Sequence, residues 1–125
     1  DKAIKYYEKS ISDKSEESVQ TNFLLLQALS ENKQFDVVVK KAVVMVETFP
    51  TQPQFYYYAG MAYNQLKEFK KAKDLLEMGM DYVVENKELE INFNIQLGEA
   101  YSGLGDSKKK ELFFSKANQL LKEKK

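Results

Sequence analysis

At 125 residues the chain is long enough for one domain with its own core and too short to expect two. Nineteen cations, all of them lysine, balance nineteen carboxylates, and this neutrality argues against a chain built mainly to hold nucleic acid or an anionic membrane. Cysteine and histidine are both absent, which excludes disulfides, Cys/His zinc sites and catalysis through thiolate or imidazole.

Apolar residues make up 43% and charged residues 30%, a soluble globular balance. Apolar runs such as Ala42 to Val46 reach five residues at most, so direct membrane insertion is not expected. The only two prolines, Pro50 and Pro53, share one short break, and five glycines are too few for a strand-and-turn protein. The spacing predicts seven helices, at 1–12, 16–31, 35–49, 53–66, 69–86, 89–104 and 108–123. Ser15 before Glu16, Glu17 and Ser18 reads as an N-cap with acidic first-turn residues. Asn32-Lys33-Gln34 and Asn86-Lys87 read as polar hinges. Leu104-Gly105-Asp106-Ser107 combines a terminating glycine with a cap for the last helix. Over 35–49, Val37-Val38-Val39 and Val43-Val44-Met45-Val46 locally prefer strand. Phe35, Val38, Ala42 and Met45 nevertheless share one helical face, and packing outweighs a penalty of some tenths of a kcal/mol per residue, about what propensity scales give.

Two segments repeat a pattern. Tyr56, Ala59, Gly60, Tyr63, Ala72, Leu76 and Gly79 are echoed at the same internal offsets by Asn94, Leu97, Gly98, Tyr101, Phe114 and Ala117. Leu25, Leu29, Phe35, Val38, Ala42 and Met45, closing on Pro50, form an earlier echo. This register resembles the tetratricopeptide repeat (TPR), a helix–turn–helix unit of 34 residues. The resemblance covers nearly the whole chain and implies an all-α, right-handed α-solenoid of antiparallel helix pairs. Its expected layout is a second helix of a preceding unit at 1–12, then units at 19–52, 53–90 and 91–124. The second unit carries four extra residues near Val84 to Glu88. Small residues at the repeated positions let helices approach closely and large ones fill the gaps. The first unit departs from this with Leu26 and Val38, which should hold its helices further apart, and the third has Lys110 where alanine is usual.

In this family the first helix of each unit lines a concave groove. Carried onto this chain, the groove residues are Gln20, Phe23, Gln27, Ser30 and Glu31, then Gln54, Tyr57, Tyr58, Met61, Asn64 and Gln65. Asn92, Ile95, Gln96, Glu99 and Ser102 complete the set. Some of these residues serve only to pack between helices. The surface is rich in amides and aromatics and holds no lysine. The cationic clamp by which chaperone-tail-binding members hold a terminal carboxylate is missing, since Phe23, Gln27, Tyr58, Asn92 and Gln96 occupy that region. The resemblance therefore implies a non-catalytic scaffold that binds an extended, near-neutral peptide or protein segment whose identity the sequence leaves open. A glycan or small-ligand scaffold in a bacterial envelope uptake system is the alternative.

Phe55-Tyr56-Tyr57-Tyr58 looks like a base-stacking platform, but consecutive helical residues point about 100° apart and cannot form one flat face. Lys108-Lys109-Lys110 and the lysines from Lys122 onward fit solvated helix ends. Carboxylate pairs such as Asp81/Glu85 and Glu16/Glu17 sit in no evident pocket, so neither an enzyme, a metal nor a cofactor is expected. Ile4, Tyr7 and Ile11 at one end, and Leu112, Phe113 and Leu120 at the other, are candidates for uncapped apolar ends. The expectation is an excerpt of a longer bacterial protein, with self-association through an end as the second option. The compartment stays open between cytoplasm and periplasm.

Overall fold

In the computed structural model, which describes residues 16–124, six helices follow one another: α1 Glu16–Glu31, α2 Phe35–Thr48, α3 Pro53–Gln65, α4 Phe69–Met80, α5 Lys87–Gly103 and α6 Ser107–Lys124. No strand occurs among the described residues. The expected helix at 1–12 and the Ser15 cap lie outside them. None of the described helices is long and apolar enough to cross a membrane.

Three of the connections are the same turn. Lys33, Lys67 and Gly105 each adopt the left-handed conformation, with φ of 58°, 63° and 80°. In each, the next residue donates its backbone N–H back across the helix end: Gln34 to Leu29, Glu68 to Tyr63 and Asp106 to Tyr101, at 3.0, 2.9 and 3.0 Å. A second bond, from Lys33 to Ser30, Lys67 to Asn64 and Gly105 to Ser102, completes the double closure that satisfies the last helical carbonyls. Each turn takes three residues, so α1–α2, α3–α4 and α5–α6 reverse direction in the same way. Asp106 then caps α6 by accepting the Lys109 N–H at 3.1 Å, and Asn86 caps α5 by accepting the Leu89 N–H at 3.0 Å.

The helix expected to run from 69 to 86 stops at Met80. Tyr82 and Val83 bond back only three residues, to Gly79 and Met80, which tightens and ends the helix. Tyr82 leaves the helix to stack on Tyr56 at 5.8 Å, and Glu85 turns the chain with φ 48°. The longer 81–86 connection comes from the early end of α4, which at 12 residues is shorter than the 14-residue α2. The four extra residues of this segment extend α5, which has 17 residues against 13 in α3.

Each helix packs on its neighbours in sequence, and α3 also packs on α1 and α5. The backbones of α2, α4 and α6 do not come within 8 Å of one another between Cα atoms. The result is an inner row, α1–α3–α5, backed by a second row. The valine-rich α2 is helical because Val38, Ala42 and Met45 enter a core formed with Leu25, Leu26, Leu29, Phe55, Ala59 and Ala62. A second core joins Tyr56, Ala72, Leu76, Phe93, Leu97 and Tyr101. Helix α3 serves both, because residues at i, i+4 and i+7 (Phe55, Ala59, Ala62) face one core while Tyr56 faces the other.

Close approach within the pairs runs through glycines. A Cβ on Gly60 would strike Leu76, and one on Gly98 would strike Phe114. These are equivalent positions of the two echoes. In the first pair the sizes are exchanged, with Leu26 and Ala42 both fully buried. There the backbones of α1 and α2 approach over a much smaller stretch, as the bulky Leu26 and Val38 require. A Cβ on Gly79 would meet the Cβ of Tyr56, with Phe93 behind it. Tyr101 donates its hydroxyl to Glu77 Oε2 at 2.9 Å, tying α5 to α4. Burial first, then that bond, then the charges of Glu77, Asp106 and Asp74 push its pKa up to about 12.

Three outcomes follow from this packing. Gly79→Ala lowers stability by about 1–3 kcal/mol, because the atom in the way is fixed to the α3 backbone and cannot swing aside; urea denaturation reads the loss. Lys67→Gly raises stability by about 0.5–1 kcal/mol by removing the left-handed penalty of a side-chain-bearing residue, again read by urea midpoint. Tyr101→Phe costs about 1 kcal/mol at neutral pH from the lost bond. Its proton linkage has a definite sign: with the folded pKa above the unfolded value near 10, Tyr101 contributes stability below pH 10 that is lost as pH rises toward 12. The wild type therefore loses more stability than Tyr101→Phe between those pH values, measured by denaturation midpoints against pH.

Candidate functional site

Because α1, α3 and α5 lie side by side, their outward residues form one surface. On α1, Gln20 and Gln27 are exposed and Phe23 is half-buried. On α3, Gln54, Tyr57, Tyr58 and Met61 are half-buried, while Asn64 is buried. On α5, Asn92, Ile95 and Gln96 are half-buried and Glu99 is exposed. The expected groove residues thus fall on one row of helices, but they do not behave alike.

Asn64 is a strut. Its Nδ2 donates to the backbone oxygen of Gln96 at 2.9 Å and to Gln96 Oε1 at 3.0 Å, bridging α3 to α5. Phe23 packs its ring on Phe55 at 4.7 Å, which places it against the first core. Gln20, Phe23 and Gln54 come together with Val19 and Gln52 around a cleft of about 310 Å³. Gln54 Oε1 is buried there without a donor among the described residues. Gln27 donates to Glu31 Oε1 at 3.3 Å on the exposed end of α1.

Tyr57 and Tyr58 form the centre of the surface. Their rings meet edge to face at 5.5 Å, and Tyr57 rests on Phe93 at 6.0 Å. The other two members of the aromatic run have gone inward, Phe55 to one core and Tyr56 to the other. The four rings therefore make no common platform. Burial raises the pKa of Tyr57, with the Glu99 carboxylate adding to it. Burial likewise raises that of Tyr58, followed by Tyr57 and Glu31. Partial burial raises the Glu99 carboxyl as well. Glu31 thus acts on Tyr58, and Glu99 on Tyr57, from the helices on either side of the tyrosine pair. The repeat register places Glu31 and Glu99 on this surface, but their convergence on the tyrosine pair depends on how the helices sit together. Among the described residues no group of three potential metal ligands occurs.

No family model matches the chain, and no curated protein matches it in sequence. Solved structures of MamA, a TPR-containing protein, do match in fold. MamA MSR-1 superposes with a TM-score of 0.74 at 19% identity, over 98% of this chain and 67% of that one. MamA AMB-1 gives 0.74 at 19% identity, over 95% and 68%. A mutant form of MamA gives 0.71 at 20% identity, over 94% and 82%. At this identity the likeness concerns the fold, and the chain has a TPR-like helical repeat fold.

Proposed function

We propose that this chain is a non-catalytic protein-interaction scaffold that holds a peptide or protein segment on the α1–α3–α5 face. The observation that carries the reading is the row of half-buried side chains on that face, Tyr57, Tyr58, Met61, Ile95 and Gln96. Such residues already lose part of their hydration in the free protein, so covering them gains apolar burial with little ordering cost. The row is laid across two helices, α3 and α5, whose packing fixes it in advance. The likeness to MamA supports a repeat scaffold of this kind. Without a cationic clamp, the surface does not suit an acidic chaperone tail, and the binding requires no cofactor.

A second reading draws on the cleft at Gln20, Phe23, Gln52 and Gln54. An aromatic ring flanked by amides is suited to a sugar, and a glycan or small-ligand scaffold of a bacterial envelope uptake system would use that cleft.

Single substitutions separate the two. Tyr57→Ala and Gln96→Ala each weaken capture of a protein partner in pull-down, by about tenfold for a central aromatic. Retention of full binding by both variants sinks the groove reading. Glycan-array binding that needs Phe23 and Gln54, with no protein partner captured, favours the second.

A further inference from the structure

The zero net charge of the chain conceals a separation between its two rows of helices. Helices α1, α3 and α5 carry one lysine, Lys87, and the carboxylates placed on their outward face are Glu31 and Glu99; Glu88 pairs with Lys124 of α6 at 3.6 Å and Glu90 lines a cleft against α6. Helices α2, α4 and α6 carry eleven lysines and six carboxylates. Lys87 already pairs with Glu123 at 3.2 Å. It also stands twelve residues from Glu99 along α5, about 18 Å at the helical rise.

The aromatic rings divide in the same way. Lys71 covers the Tyr63 ring at 5.7 Å, Lys109 covers Tyr101 at 5.1 Å and Lys116 covers Phe113 at 5.1 Å. All three cations come from the second row. Tyr57 and Tyr58 receive no such cover among the described residues, and the charges that act on them, from Glu99 and Glu31, are both negative. A ring face flanked by carboxylates attracts a cation through its quadrupole and through the flanking charges together.

We propose that the α1–α3–α5 face takes an extended segment rich in lysine or arginine, with a cationic side chain seated over Tyr57 and Tyr58 between Glu31 and Glu99. This rests on the scaffold reading and replaces its near-neutral partner with a basic one. Lys71, Lys109 and Lys116 of the second row are taken up over Tyr63, Tyr101 and Phe113, and Lys124 on Glu88, rather than over the Tyr57–Tyr58 pair. Glu31 and Glu99 add electrostatic attraction to the encounter.

The test is an NMR titration of the isotope-labelled chain with three peptides of equal length: lysine alternating with glycine and serine, the same peptide with every lysine acetylated, and the same with glutamate for lysine. The lysine peptide is expected to shift amides of α1, α3 and α5, to weaken with added salt, and to bind Glu99→Gln and Glu31→Gln about 3- to 10-fold less tightly. Glu111→Gln on α6 binds it as the wild type does, and circular dichroism verifies that each variant is folded. Equal binding of the acetylated peptide on the same face overturns the cationic partner while leaving the scaffold reading standing. No shifts with the lysine peptide, or shifts confined to α2, α4 and α6, overturn it as well. Shifts of the same inner-row amides on raising protein concentration alone also overturn it, because the occupant is then a second copy. Unimpaired partner capture by Tyr57→Ala and Gln96→Ala sinks the reading of this face as the binding groove, independently of the peptide results.

Discussion

The separation between paired helices is the constraint on which the rest of this structure depends, and it is set where a glycine meets a large side chain. Gly60 against Leu76 and Gly98 against Phe114 bring α3 onto α4 and α5 onto α6 at the same level. Gly79 against Tyr56 and Phe93 then fixes how the second pair meets the third. The same three-residue turn closes all three pairs, including α1–α2 where no glycine stands at the crossing, and the turns align α1, α3 and α5 as a continuous row. A single extra methyl at Gly79 therefore acts on more than its own contact, since the relative position of α3 and α5 depends on it. Interiors packed to crystal-like density transmit such a change because they have no slack to absorb it.

Much of this was legible in the sequence because packing positions repeat. The echo of Gly60 and Leu76 in Gly98 and Phe114 fixes helix faces without any structure, and the α2 valines yield to it because Val38, Ala42 and Met45 share a buried face. Two features were not legible, for physical reasons. Lys33 and Lys67 occupy left-handed turn positions that glycine usually announces, so the sequence signal appears at Gly105 alone. The end of α4 was hidden because Tyr82 and Val83 continue an apolar helical pattern. What takes Tyr82 out of the helix is a ring on another helix, Tyr56, 26 residues earlier in the chain.

The surface was legible in outline for the same reason and opaque in detail for another. Repeat register assigns residues to the inner face, and the chosen residues do fall on α1, α3 and α5. Register cannot say which of them are consumed by packing. Asn64 and Tyr58 are equivalent in that respect on paper, both polar and both on α3. Asn64 is spent on Gln96, 32 residues away, whereas Tyr58 stays half-buried beside Tyr57. The difference lies in contacts between helices of separate pairs, and one-dimensional periodicity holds no information about them.

Charge carries the same lesson one level up. A composition with equal numbers of lysines and carboxylates argues against anionic partners for the chain as a whole. That argument averages over two rows of helices separated by roughly 8–10 Å, the usual interaxial distance. The rows pair with each other through Lys87 with Glu123 and Lys124 with Glu88, whereas the charges acting on Tyr57 and Tyr58 are those of Glu99 and Glu31. The central tyrosines of the inner row have carboxylates beside them and no cation over them among the described residues, while Lys71, Lys109 and Lys116 of the second row lie over Tyr63, Tyr101 and Phe113. A lysine placed on α3 would cover Tyr57 or Tyr58 in the same manner and compete with any ligand for the ring. Helix α3 instead carries no charge of either sign, which leaves those rings available and lets Glu31 and Glu99, from the helices on either side, determine what kind of group is attracted to them.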